Sequence, residues 1–273
     1  MPRFYVSAEL NPGLMLELPD NVLRHLHVLR VKAGEEITLF NGNGCAYAAR
    51  LTALEKRRAA ALVLDEAAPA NESPLRITLI QAVSGGERMD FTLQKSVELG
   101  VAEIWPVLSE RSIVRLAGER ADKRVARWQE IVVSACEQSG RNVVPQVRPL
   151  QSYREALADL PAADARLLLG LNHAQSLQKA AAAPRNITFM VGPEGGWTAA
   201  EEQQAFAAGF QAVKLGPRVL RTETAALAAI AQHGLKLVGL HMHIGSGVDY
   251  RHLQEVCGAM VNLVRTAHAA GHD

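Results

Sequence analysis

Two strand-to-helix turns in close succession constrain this chain more than any other feature. Ile187 to Val191 is a short apolar run that reads as a buried strand, and it ends at the break Gly192-Pro193-Glu194-Gly195-Gly196-Trp197. Thr198-Ala199-Ala200-Glu201 then supplies a capping box, so a helix starts directly after the glycines and stops near Gly209. Phe210 to Leu215 is the next strand, Gly216-Pro217 breaks it, and Thr222 is expected to cap an alanine-rich helix from about Glu223 to Gln232. Strands alternating with helices imply parallel pairing, and in parallel sheets ligands sit at the loops leaving the carboxyl ends of the strands.

Glycines in such loops let main-chain amides and carbonyls approach a flat heterocycle. The spacing Gly-x-x-Gly-Gly fits neither the dinucleotide fingerprint nor the phosphate loop, and Pro193 removes one amide donor from any anion nest. From the glycines alone, a tight structural turn is favoured over a main-chain ligand pocket.

Gly-Pro-Glu-Gly-Gly-Trp at 192 to 197 and Leu-Gly-Pro-Arg-Val-Leu-Arg-Thr-Glu-Thr-Ala at 215 to 225 resemble the two signature loops of the bacterial 16S ribosomal RNA (uracil-N3)-methyltransferase family, of the SPOUT class. Lys95 to Val101, Ser109-Glu110-Arg111-Ser112 and Glu137-Gln138-Ser139-Gly140-Arg141 are similar to it as well, so the resemblance covers residues 3–232. It implies an α/β fold, with a SPOUT-type trefoil-knotted methyltransferase domain at 71–232 preceded by a small PUA-like RNA-binding β-barrel at 1–70. The implied cofactor is S-adenosylmethionine, surrounded by Leu169, Gly170, Gly192, Pro193, Glu194, Gly195, Gly196, Leu215, Gly216, Leu220, Thr222 and Thr224. The implied target is N3 of uridine-1498 in 16S rRNA of the small ribosomal subunit, and the implied assembly is a homodimer. In such a dimer Arg111 or Arg141 of one subunit is expected near the methyl donor of the other. A knot runs against general topology rules and is carried by the resemblance alone.

Methylating uracil N3 requires removal of a weakly acidic proton. Arg221 is expected to stabilise the resulting oxyanion, and Glu223 to act as base or to orient Arg221. A plain ion pair at the start of a helix accounts for the same two residues. A protein that keeps the fold and binds RNA without catalysis is the alternative, and the presence of both residues favours the enzyme.

The rest of the chain fits this outline. Short strands at Phe4 to Val6, Glu36 to Phe40, Ala46 to Leu51 and Ala60 to Leu64, a helix from Pro19-Asp20 to Leu29 and the hairpin signal Asn41-Gly42-Asn43-Gly44 suggest a small barrel. Glu66 to Pro74 reads as a linker. Beyond it, strands at Arg76 to Val83, Val101 to Val107, Val143 to Val147 and Arg166 to Leu169 alternate with helices at Met89 to Leu99, Ala121 to Gln138, Ser152 to Ala158 and Ala174 to Ala181, as in a doubly wound domain.

With 29 Lys and Arg against 28 Asp and Glu, overall charge does not decide for or against nucleic acid. RNA contacts must come from local patches, for which Arg3, Arg24, Arg30, Arg111, Arg115 and Arg141 are the candidates. Eight basic residues against five acids between Ser109 and Arg148 make a modest surplus, which a solvated, internally paired helix also explains. His25 and His27 read as packing or capping residues. Cys45, Cys136 and Cys257 support neither a disulfide framework nor a zinc site, no metal is expected, and no apolar run reaches a membrane span. A cytoplasmic protein is expected.

After Gln232 the composition shifts, with six of nine histidines beyond that point. Leu237 to Gly247 resembles a segment of the diaminopimelate decarboxylase family, but residues 233–273 are too few for that family's barrel and supply no context for its Schiff-base lysine. The tail is expected to carry no decarboxylase activity, and a metal site at His241 and His243 is disfavoured.

Overall fold

The computed structural model describes residues 1–69, 71–170, 174–177 and 184–234. The tail stretch at 237–247 with His241 and His243, Cys257, and residues 178–181 of the helix expected at 174–181 lie outside the described residues, while Gln175–Ser176 of that stretch is a strand instead of helix.

The first part is a five-stranded sheet of order β1-β3-β4-β5-β2, from β1 (Arg3–Tyr5), β2 (Met15–Glu17), β3 (Glu36–Phe40), β4 (Ala46–Leu54) and β5 (Ala59–Ala67). The Asn41 to Gly44 signal closes the β3–β4 hairpin, and β5 runs into the stretch expected as linker. Sequence reading missed β2, three residues with no buried position to mark one face. Helix α1 (Asp20–Val28) packs Val22, Leu23 and Leu26 into a core shared with Ile37, Leu39 and Leu51, and His25 stands edge-on against Phe4, with ring centroids 5.5 Å apart.

The second part is an all-parallel sheet of eight strands: β6 (Arg76–Ala82), β7 (Glu103–Leu108), β8 (Gln146–Val147), β9 (Gln151–Ser152), β10 (Ala165–Leu169), β11 (Gln175–Ser176), β12 (Asn186–Val191) and β13 (Gln211–Lys214). The order is β11-β13-β10-β12-β6-β7-β8, with β9 also on β7. Alternate residues face opposite cores, as the two-residue strand period requires. Ile77, Leu79, Ile187, Phe189 and Val191 pack under α2 (Glu87–Glu98), α3 (Glu119–Ser139) and α6 (Thr222–Gly234). Ile80, Ala82, Leu168 and Met190 pack on the other face, under α4 (Tyr153–Ala158) and α5 (Ala199–Ala207). Burial on both faces explains why these strands read as apolar runs without alternation.

The two sheets meet at the last turn of α3 and the segment that follows it. Tyr5 N donates to Glu137 Oε1 at 3.0 Å, Arg3 donates to Gly140 O and to Asn142 Oδ1, and Gly44 N donates to Asn142 O. Asn71 Nδ2 reaches Gly140 O at 2.7 Å from the linker. Burial raises the Glu137 carboxyl above its ordinary range, partly offset by the Tyr5 amide, and pushes the Cys136 thiol up to about 12, so the thiol stays protonated. Val143 and Val144 lie beneath Gly44 and Gly42 of the hairpin, and this part of the strand expected at Val143 to Val147 is absent. No helix among the described residues is long and apolar enough to cross a membrane.

Candidate functional site

A cavity of about 710 Å³ opens at the carboxyl ends of β10, β12 and β13. Its lining includes Leu169, Gly170, Gly192, Pro193, Glu194, Gly195, Gly196, Leu215, Gly216, Leu220, Arg221, Thr222 and Glu223. Thr224 is exposed and absent from the lining: a residue turns a helix by about 100°, which carries Thr224 past the wall that Glu223 faces. Of the residues expected around the cofactor, Thr224 is the one that does not reach this lining.

The turn after β12 is held from several directions. The capping box forms, with Glu201 N donating to Thr198 Oγ1 at 3.2 Å and Thr198 N to Glu201 Oε2 at 2.8 Å. The other Glu201 oxygen accepts from Glu110 N at 2.9 Å, and Tyr153 Oη donates to Glu201 O. Tyr153 packs against Trp197 at 5.2 Å, and burial, then Glu201, raises its phenol pKa, keeping it a donor. Glu194 Oε1 accepts from Gly85 N at 3.1 Å and from Arg88 Nη1 at 2.8 Å. Partial burial pushes the Glu194 pKa up, but hydrogen bonds from its own backbone, Arg88 and Gly85 outweigh it and hold the group below its ordinary value.

Close approach explains two of the glycines. A Cβ on Gly192 would lie 3.2 Å from the Trp197 indole nitrogen, and one on Gly195 would lie 3.2 Å from Arg111 Cβ.

Thr222 does not cap α6. Ala225 N bonds to Arg221 O, so Arg221 occupies the capping position, while Thr222 Oγ1 donates to Gly192 O at 2.6 Å and accepts from Gln81 Nε2 at 3.1 Å. Three segments far apart in sequence are thereby joined beneath the cavity. Gln81 is fully buried at the end of β6 and was invisible to sequence reasoning, as were Arg88 and Tyr153, because their partners lie in other elements. Glu202 also lines the cavity, 3.9 Å from a Cβ built on Gly170, and likewise went unnoticed.

Arg221 is exposed at the cavity wall. One oxygen of Glu223, Oε2, is buried without a hydrogen-bond partner, and no ion pair joins the two residues among the described residues. The helix-start ion pair that sequence left open is thus not formed.

The candidate RNA-contacting arginines divide. Arg24 and Arg30 are exposed on the first sheet's helix and the loop after it. Arg111 lines the cavity and donates to Gly195 O at 2.9 Å and Trp197 O at 3.1 Å in its own chain. Arg115 folds back onto Ser109 O and Glu110 O. Arg3 is engaged at the joint between the sheets. Arg141 is only 6% exposed, with four of its five N–H groups spent on Glu72, Val97 O and Val101 O. The expectations that Arg3 and Arg141 meet RNA are corrected: both seat the first sheet and the linker. Much of the remaining basic surplus is also paired, as in Lys123 with Glu119, Arg127 with Asp90 and Arg148 with Asp159.

A family model described as an RNA methyltransferase domain matches residues 71–234, and one described as an RNA methyltransferase PUA domain matches residues 18–64. The chain is similar to the crystal structure of a ribosomal RNA small subunit methyltransferase E from Neisseria gonorrhoeae bound to S-adenosyl methionine. The identity is 63%, the match covers 85% of this chain and 96% of that one, and the TM-score is 0.82. A putative methyltransferase from Legionella pneumophila in complex with the bound cofactor SAM is 36% identical, with 84% and 95% covered and a TM-score of 0.81. A ribosomal RNA small subunit methyltransferase E from Synechocystis is 32% identical over 236 residues, covering 84% of this chain and 76% of the relative.

Proposed function

This chain belongs to the RNA methyltransferase family, and on that premise we propose that it moves a methyl group from S-adenosylmethionine to N3 of a uridine, uridine-1498 by the family's pattern, in 16S rRNA of the small ribosomal subunit. The observation that carries the reading is the cavity where two glycine turns bring main-chain groups together with Arg221 and Glu223. Its volume of about 710 Å³ suits a ligand of this size, for which cavities of ~300–1,000 Å³ are usual.

Bound there, the cofactor supplies an electrophilic methyl group on a sulfonium. The protein's part is to hold uracil in line with it, take the N3 proton and balance the charge that moves onto the uracil oxygens. Glu223 takes the proton and Arg221 faces the developing anion. What supports these roles is that both line the cavity and that a Glu223 oxygen is buried with no partner. Arg88, Arg111, Lys214 and Arg218 also line it, against Glu194 and Glu202, a cationic excess that suits RNA.

The reading includes a division at residues 70 and 232, trefoil-knotted threading of the two turns, a homodimer and action in the cytoplasm. The test is incubation with labelled S-adenosylmethionine and small subunits lacking the modification, followed by mapping. One N3-methyluridine is expected; a methyl on another atom, or no transfer by folded protein that takes up the cofactor, overturns the assignment.

A further inference from the structure

The end of β6 holds an amide where its neighbours are aliphatic. Leu79, Ile80, Ala82 and Val83 are buried apolar residues, and Gln81 among them is 0% exposed, on the face that buries Ile77 and Leu79 under α2, α3 and α6. A buried amide destabilises a core unless its hydrogen bonds are made, so its partners show what it is kept for. Nε2 spends both protons, one on Ala82 O at 3.0 Å and one on Thr222 Oγ1 at 3.1 Å. Oε1 is buried with no partner among the described residues. Only the donor half of this side chain is in use.

Those two bonds give the Thr222 hydroxyl a direction. A carbonyl can only accept, so Ala82 O fixes which end of the amide is the nitrogen. A nitrogen that donates to Thr222 Oγ1 leaves the hydroxyl proton to point elsewhere, and it points at Gly192 O, 2.6 Å away. The relay therefore runs one way, from β6 through the start of α6 to the turn after β12.

The rest of α6 keys its position less closely. The helix buries Ala226, Ala229 and Ile230, and contacts of small apolar side chains are non-directional, so they resist separation better than sliding. Among the described residues Thr222 is the one side chain from Arg221 to Ala225 that makes a hydrogen bond. Arg221 and Glu223 flank it, one exposed on the cavity wall and the other with Oε2 buried and unpaired.

We propose that Gln81 is a positioning residue for methyl transfer. It lies outside the cavity lining, and by aiming the Thr222 hydroxyl at Gly192 O it fixes where Arg221 and Glu223 stand relative to the turn after β12. The inference rests on the methyl-transfer reading and adds to it a residue that acts through another.

The full-length protein is compared as wild type, Gln81→Met, Gln81→Leu, Thr222→Val and Gln81→Met/Thr222→Val. With cofactor and unmodified small subunits both saturating, the single-turnover rate of Gln81→Met is expected to fall about tenfold, while S-adenosylmethionine affinity changes by under about threefold. In the Thr222→Val background the same substitution is expected to change the rate by under about twofold, since both residues act through one bond. In cofactor-free protein the Ala225 amide, which donates to Arg221 O, is expected to exchange its hydrogen about tenfold faster in Gln81→Met as the start of α6 loosens. Gln81→Leu, an apolar side chain of different shape, is expected to reproduce both changes. A lower melting temperature with rate and exchange unchanged makes Gln81 purely structural and overturns the proposal, as does an undiminished effect in the Thr222→Val background. A wild type that binds the cofactor and transfers no methyl group removes the methyl-transfer reading and the proposal with it; a wild type that transfers no faster than Gln81→Met removes the proposal alone.

Discussion

The turn after β12 and the turn after β13 face each other across one cavity, yet only the first is fastened by side chains. Gly192 to Trp197 is tied by Thr222, Glu194 and Arg111 to three other parts of the fold, and its indole packs on Tyr153. Among the described residues no side chain of Leu215 to Arg221 enters a hydrogen bond, and Val219 is 76% exposed. One wall is thus preorganised, while the other presents side chains to whatever enters. The fastened wall suits an invariant cofactor and the open wall a large substrate, since preorganisation is worth most where the ligand is always the same.

Substitutions at four positions sharpen or break that comparison. Arg221→Ala, on the open wall, is expected to lower kcat by about 100- to 1,000-fold with S-adenosylmethionine affinity nearly kept, as for loss of a charge-stabilising donor; single-turnover rates beside calorimetry would show it. On the fastened wall, Thr222→Val removes the bond to the half-buried Gly192 O and leaves Gln81 Nε2 without its partner, which costs about 1–2 kcal/mol, or roughly tenfold in cofactor affinity. Thr222→Ser, which keeps the hydroxyl, is expected to restore it.

Glu194→Gln is expected to weaken cofactor binding less, by a factor of a few. Its pH behaviour has a definite sign. Because the folded pKa lies below the ordinary carboxylate value, the tie to Gly85 and Arg88 is complete above that ordinary value and fades only as pH falls through the lower folded one. Wild-type cofactor affinity should therefore hold from neutrality into mild acid and drop below it, while the variant lacks this component of the decline. The smallest effect is expected from Val219→Ser, under about twofold on cofactor affinity. If Val219→Ser harmed cofactor binding more than Thr222→Val, the contrast between the walls would be wrong.

Local features of the fold were legible where the cause is local. The apolar runs of β6 and β12, the Thr198–Glu201 box and the Asn41 to Gly44 hairpin depend on neighbours within a few residues. What failed depended on distant partners. Arg141 looks like any surface arginine until Glu72, 69 residues away, is seen to take both its Nε and Nη2. Thr222 looks like a helix cap until Gly192 O is found beside it, and Gln81 has no local signature at all. Thr224 lies off the cavity lining through helix phase, which a motif does not reveal. The cavity itself was foreseen through the resemblance of its two turns to signature loops, because glycine and proline alone favour a tight structural turn.

The socket formed by Glu137 to Asn142 has one more consequence. The first sheet is seated there by the Arg141–Glu72 ion pair in the linker, by Tyr5 N on Glu137 and by Asn71 on Gly140 O, so its distance from the cavity is set by the fold. A seat of this kind makes the two sheets one frame, so whatever binds across both meets them at a fixed separation, and loosening the seat would cost that alignment before it cost either sheet its own core.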